Sequence, residues 1–423
     1  MIKEKIGWYI VHQRNVFSDK TEISLLIHTQ SYLENGAALK YLSDADKLEG
    51  INIFFMPMLN GNVSNLPLGR YIHNRESNRT FSILKFPQCS GVVKIHNMPD
   101  AQISDVEYCE STEQSILQGQ CVSNLFDYIV TEKSAPDPFD CEIPVISLSE
   151  CREILRLRMI CCGDYHVSEH FRIEETLYYI YRHKYIFPSY QQFWSSCVEN
   201  NNLDWADALD NRLNLMARCL DQCKISAYKR IDNNSIMHIK YHLSYLFLLI
   251  TGAFDNLAWL MNNLYQMELE KRSGGHFNID LKKTVFQDVL KEKSKNVYSV
   301  ISDTLFQCRL DAIRELRDRI VHRDFLQAYR GGNANSRNET SYFDADSVFY
   351  SKLKQAGFSD SNVAIKIGTR NLLYMIPFIN FLEMITVKMI DDMLKVITKD
   401  IYGKKENIVL WELFEFPCEP YVL

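Results

Sequence analysis

Arg317, Asp318 and His322 stand in the segment Arg317-Asp318-Arg319-Ile320-Val321-His322. Their types and spacing lend themselves to chemistry. They place a permanent cation, a carboxylate and a base that titrates near neutrality within two helical turns. Each helical residue advances by ~100°, so Asp318 and His322 share a face, and Arg317 lies ~140° around from His322. The Arg317 side chain is long enough to reach a shared group from there. Asp318 can accept a hydrogen bond from one imidazole nitrogen, fixing the tautomer and leaving the other nitrogen for acid or base work. This set suits metal-free cleavage of an RNA phosphodiester, in which the 2′-hydroxyl attacks its own phosphate. The products are a 2′,3′-cyclic phosphate and a free 5′-hydroxyl. His322 would transfer protons and Arg317 would stabilise charge on the pentavalent intermediate. The competing reading is an ion-pair ladder, because Arg314, Asp318 and His322 are also spaced four apart. Such pairs are worth only a few tenths of a kcal/mol each.

The segment lies in a helical, arginine-dense stretch, and it resembles the signature of the HEPN superfamily. These are all-helical ribonucleases and nucleotide-binding domains. The signature is an Arg, then Asn, Asp or His, then a His four to six residues after the Arg. Arg317, Asp318 and His322 fit it, and the resemblance covers the C-terminal part of the chain only. It implies a helical bundle with the motif near the start of a late helix. It also implies a homodimer through the C-terminal helices, with one motif from each subunit facing the other. A polar residue of an earlier helix commonly completes such sites. Asp255 and Asn256 are the candidates, since they interrupt the apolar stretch Ala253-Phe254 and Leu257-Ala258-Trp259. Many such proteins are toxins or antiviral effectors held inactive until triggered, so the resemblance allows for an inhibitor or trigger partner. A non-catalytic HEPN-like scaffold that binds RNA, nucleotide or a protein partner is the alternative expectation.

A net charge of -6 provides no global attraction for nucleic acid, so RNA binding requires a local patch. Seven arginines lie between Arg309 and Arg337, preceded by Lys282, Lys283, Lys291, Lys293 and Lys295. Arg314, Arg319 and Arg323 are the expected RNA contacts, which would be salt-dependent and mostly blind to sequence. Glu315, Asp318 and Asp324 offset part of this charge. Cys219-x3-Cys223 followed by His238-x3-His242 loosely resembles a zinc spacing, but buried cysteines and satisfied histidines are the preferred reading. His166 and His170 read as surface residues, and Tyr178, Tyr179 and Tyr181 as packing. No metal or cofactor is expected.

The fold class expected is α+β. Residues 1–148 read as a mixed, strand-rich domain, with runs at Ile6–Val11, Ile51–Met56, Phe81–Phe86, Gly91–Ile95 and Val145–Leu148 and helical spacing over Ser31–Asp46. They contain no GxGxxG and no GxxxxGK[ST]. Residues 149–229 read as a helical connecting region and 230–423 as the HEPN-like bundle. Within the bundle, helices are expected at Ile236–Arg272, across Leu281–Arg330 with or without a break, and at Ser361–Ile401. A polar loop is expected at Gly331–Thr340. The twelve Cys include no CxxC pair, and the first twenty residues hold no apolar signal core. A reduced, cytoplasmic protein is therefore expected. Leu243–Phe254 is too short an apolar run to span a membrane.

Overall fold

A computed structural model describes residues 17, 22–27, 41–42, 45, 48–55, 70–74, 79–86, 89–96, 126–132, 144–168, 171–200, 203–229, 233–322, 327–332 and 339–403. The run Ile6–Val11, most of Ser31–Asp46, and Arg323 lie outside the described residues.

Short, continuously apolar runs suit strands buried on both faces. The strands β1 (Ile23–Ile27), β2 (Ile51–Phe55) and β6 (Tyr128–Val130) approach this kind, interrupted only by Ser24 and Asn52, and Ile23, Leu25, Leu26 and Ile27 are fully buried. They join β3 (Arg70–Asn74), β4 (Arg79–Phe86), β5 (Cys89–His96) and β7 (Val145–Ile146) in a seven-stranded sheet. Its order is β3-β4-β5-β2-β1-β6-β7. The pairs β5–β2, β2–β1, β1–β6 and β6–β7 are parallel, while β3 and β4 are antiparallel additions at one edge. From β1 the chain adds β2, passes to the far edge at β3 and returns through β4 to β5 beside β2, then adds β6 and β7 on the other side of β1, so β1 and β6 flank the reversal point. There the Asp127 carboxylate accepts from the Ser24 backbone N–H at 2.8 Å.

Helix α1 (Leu148–Cys161) follows β7 after one residue, and Ser147 Oγ caps it by accepting from the Glu150 N–H at 3.2 Å. A β-hairpin, β8 (Tyr165–Ser168) with β9 (Phe171–Ile173), leads to α2 (Glu175–Ile186), α3 (Pro188–Glu199) and α4 (Leu203–Tyr228). The 32-residue α5 (Asn233–Leu264) turns back along α4. Their facing residues meet along the pair: Cys219 Sγ lies 3.0 Å from the His242 carbonyl oxygen, and Asn256 donates to the Ala208 carbonyl at 3.4 Å. Three further helices follow, α6 (Thr284–Lys293), α7 (Lys295–Ile301) and α8 (Thr304–His322).

Four antiparallel strands then intervene in the order β10-β11-β13-β12. They are β10 (Ala328–Gly332), β11 (Glu339–Asp346), β12 (Val363–Ile367) and β13 (Arg370–Tyr374). Helix α9 (Ser347–Gln355) crosses between β11 and β12, and α10 (Met375–Tyr402) closes the described chain. The C-terminal part is thus helical with a small sheet set into it. Helix α10 begins at Met375, not near Ser361, because Val363–Tyr374 forms a hairpin turned by Gly368-Thr369. Gly368 sits at φ 58°, a left-handed conformation that glycine adopts without steric cost. Helix α5 likewise stops at Leu264, not Arg272, with Gln266 and Glu268 at positive φ just beyond.

Buried residues at helical spacing on α10 (Ile379, Leu382, Ile385, Met389, Met393, Ile397) put one stripe into the core. Phe343 of β11 stacks on Phe378 of α10 with ring centroids 4.3 Å apart, anchoring the small sheet. One continuous apolar core runs from Ile23 and Leu25 of the large sheet through Ile154, Leu213, Phe247 and Ile313 to Ile397. By length and composition α5 could cross a membrane, yet 56% of its apolar window is buried within the protein.

Candidate active site

Helix α8 buries Phe306, Leu310, Ile313 and Leu316, a stripe at helical spacing that faces the core. That packing directs Arg314, Arg317 and Asp318 away from the core, where each is only partly buried. Arg317 Nη1 donates to Asp318 Oδ1 at 2.8 Å, with the two side chains 40% and 51% exposed. The carboxylate expected to orient His322 is therefore held by the neighbouring guanidinium. His322 is the last residue of α8, so the motif occupies the C-terminal end of its helix and not the start. The negative end of the helix dipole lies there and favours cations. The His322 side chain lies outside the described residues.

Arg314 Nη2 donates to Asp280 Oδ1 at 2.5 Å, and that oxygen also accepts the Lys282 backbone N–H at 2.8 Å. Asp280 stands in the turn between α5 and α6. Asp255 of α5 is an exposed residue, yet the protein around its carboxyl displaces enough water to raise its pKa above the usual carboxylate value. Arg314, Arg317 and Arg212 oppose that rise, and Asp280 adds to it. Asp255, Arg314 and Arg317 therefore share one electrostatic neighbourhood, and Arg212 of α4 and Asp280 join them. Gly252 lets Arg212 lie against α5, since a Cβ at that position would strike the guanidinium. The sequence carries no local sign of Arg212 or Asp280, because α4, α8 and the turn meet only in three dimensions.

The remaining candidates are placed differently. Asn256 faces α4 through its bond to the Ala208 carbonyl. Arg319 is fully engaged: it donates to Glu315 at 3.0 Å, pairs with Asp346 at 2.6 Å and lies over the Phe349 ring at 5.3 Å. These contacts fasten α9 to α8, leaving Arg319 little freedom to meet a phosphate. Lys282 is paired with Asp311, whereas Lys283, Lys291, Lys293 and Lys295 are exposed.

Among the described residues, no group of three or more His, Cys, Asp or Glu is arranged to hold a metal ion. Cys219 and Cys223 are buried on α4. A hydrogen bond from Cys223 outweighs burial and brings the Cys219 thiol down to about 6, with His242 pulling the same way; burial pushes Cys223 up. His238 is exposed and stacks on His242 at 6.2 Å. Tyr178 and Tyr179 are fully buried and meet edge to face at 5.1 Å, which is packing. His170 and the His166 side chain lie outside the described residues. No protein-family model, curated protein or solved structure matches the chain.

Proposed function

We propose that the chain is a metal-independent endoribonuclease of HEPN type, acting as a homodimer through its C-terminal helices. The observation that carries this reading is the convergence of Arg314 and Arg317 from α8, Asp255 from α5 and Arg212 from α4, on the helix that ends in His322. Arg212, Arg314 and Arg317 gather there with the carboxylates of Asp255, Asp280 and Asp318, so a phosphate meets Arg314 or Arg317 by displacing Asp280 or Asp318. His322 takes the 2′-hydroxyl proton as that oxygen attacks phosphorus. The bond from phosphorus to the 5′-oxygen breaks, and the leaving oxygen takes a proton from the second motif across the twofold axis. Arg317 stabilises the charge gathering on the phosphoryl oxygens, and Arg314 holds a neighbouring phosphate. The large sheet selects substrate or senses a trigger, as in a toxin or antiviral effector that works in the cytoplasm with an inhibitor or trigger partner.

A non-catalytic scaffold is the second reading, favoured by the pairing of Arg317 with Asp318, which neutralises both groups at rest. Digestion of mixed cellular RNA in EDTA separates the two. Wild type is expected to leave 2′,3′-cyclic phosphate ends, and His322→Ala to lose roughly 10²–10⁴-fold in rate with its fold retained. RNA binding without cleavage would favour the scaffold, and equal cleavage by both proteins would remove His322 from the chemistry.

A further inference from the structure

Helix α5 leaves a row of apolar side chains uncovered on the half that precedes Asp255. Met237 and Tyr241 are 63% and 66% exposed, and Tyr245 and Leu248 continue the row one turn at a time. At ~100° per residue these four fall within an arc of ~80°, so they share one face of the helix. Leu215 of α4, also exposed, widens that face. Helices α4 and α5 run antiparallel, with Cys219 at His242 and Arg212 at Gly252, so Leu215 stands beside the middle of the row. Past Asp255 the face closes, because Trp205 of α4 lies nearly parallel to Trp259 with centroids 6.4 Å apart. Single exposed apolar residues are ordinary on a protein surface, whereas a contiguous row marks an interaction surface.

Charge indicates what covers this face. From Asn233 to Phe254, α5 contains Lys240, His238 and His242 and no carboxylate. Between Asp210 and Asp221, α4 contains Arg212 and Arg218 and likewise no carboxylate. Asp210 and Asp221 are engaged with His183 and Arg156, and Glu175 of α2 takes Arg218. Lys240 and Arg212 have no hydrogen-bonded carboxylate among the described residues. The complementary occupant is an apolar segment that carries carboxylates and no cations. A second copy would bring the same cationic face. The chain itself holds such a segment in residues 404–423, which lie outside the described residues. Beyond Lys405 it contains Glu406, Glu412, Glu415 and Glu419 and no Lys or Arg, interleaved with Trp411, Phe414 and Phe416. It also has the reach. Helix α10 ends beside the far end of α5, where Tyr265 donates to Asp400 at 3.1 Å. From Tyr265 the row lies about 26 Å (Leu248) to about 42 Å (Met237) back along α5. At ~3.3–3.6 Å per extended residue, Trp411 reaches about 28 Å and Phe416 about 45 Å beyond Gly403. We infer that residues 408–416 dock along the Met237–Leu248 face of α5, their glutamates answering Lys240 and Arg212. Burial of their aromatic side chains on that row drives the contact. The inference stands apart from the ribonuclease reading.

The test uses the full chain and hydrogen exchange read by mass spectrometry. In wild type, the amides of residues 408–416 are expected to exchange at least about tenfold more slowly than in a free peptide of that sequence. Tyr241→Glu puts a carboxylate on the row and should return them to the free-peptide rate. Tyr241 is so exposed that this change should leave the fold intact, which circular dichroism would verify. Glu412→Lys combined with Glu415→Lys should lower the protection severalfold at low salt. The occupant is identified separately with Tyr241→benzoylphenylalanine, irradiated in an equal mixture of isotope-labelled and unlabelled chains. Cross-links to residues 408–416 within one chain are the expected product. Cross-links that join a labelled chain to an unlabelled one would assign the face to a second copy and overturn the inference. Unprotected amides in wild type, or protection that survives Tyr241→Glu, would overturn it as well.

Discussion

Arg317 and Arg319 are two residues apart and are held in opposite ways. Arg319 has two carboxylate partners and a ring beneath it, so its charge is committed to joining α8 and α9. Arg317 has one half-exposed carboxylate, and such a pair contributes about 1 kcal/mol or less. A phosphate can displace it. Asp318→Asn is therefore expected to leave the melting temperature nearly unchanged and to tighten binding of non-cleavable RNA severalfold, while slowing cleavage if Asp318 turns to His322 during the reaction. Fluorescence anisotropy and a cleavage assay on the same variant check both arms, and weaker binding would make Asp318 a direct RNA contact. Helical spacing made the shared face of Asp318 and His322 legible in the sequence. It could not tell which cation Asp318 would choose, because the adjacent Arg317 reaches it without a favourable helical angle. Asp255 was legible for another reason: a charge inside an apolar helix has to emerge on a face the core does not cover. Asn256 shared that signal, and the packing of α4 decided its different role.

Helices α1, α4 and α10 are joined by buried charges as well as by apolar packing. Arg156 of α1 pairs with Asp221 of α4 at 2.6 Å and with Glu153 at 2.9 Å, while Lys224 of α4 bridges Glu153 at 2.8 Å and Glu383 of α10 at 2.6 Å. Asp221→Ala leaves buried Arg156 with Glu153 as its one carboxylate and should cost about 3 kcal/mol, read from urea denaturation. Burial works against the Glu153 carboxylate, yet Arg156 and Lys224 overcome it and hold its pKa well below the ordinary value. A depressed carboxylate stabilises the fold above its unfolded pKa of about 4.3, and that stability is lost as pH falls through the folded value. Wild type should therefore lose stability on acidification below about pH 4.3, and Glu153→Gln should show a flatter acid limb. Helical periods made α1, α4 and α5 readable from the sequence, while the cap of α1 by Ser147 emerged only in the structure. The strands β10 to β13 were hidden. Val363–Tyr374 mixes apolar residues with Lys366, Arg370 and Asn371, shows no clean period-2 alternation and abuts the apolar α10, so it merges into a longer run of helical texture. Only Gly368 marked the turn between them.

At the scale of the whole molecule, the α+β class was legible and the order of strands was not. Runs of β-branched residues identify strands, but which strand lies in the centre depends on pairings between distant segments such as β1 and β6. The dimer required by the proposed chemistry also belongs to this scale. Cleavage per chain is expected to fall on dilution, in step with loss of a species of twice the chain mass in light scattering. Activity that is independent of concentration in a monomeric protein would place a complete site within one chain. The joint between β7 and α1 carries a mechanical consequence. One residue, Ser147, separates the last strand of the sheet from a 14-residue helix, a strut of about 21 Å whose flank is clamped by Arg156 and Glu153 to α4. A push on the sheet edge has no slack to take up before it loads α4, the helix that carries Arg212 and Trp205. A displacement of that sheet edge would reach those two side chains as the shift of a stiff rod rather than as the swing of a tethered domain.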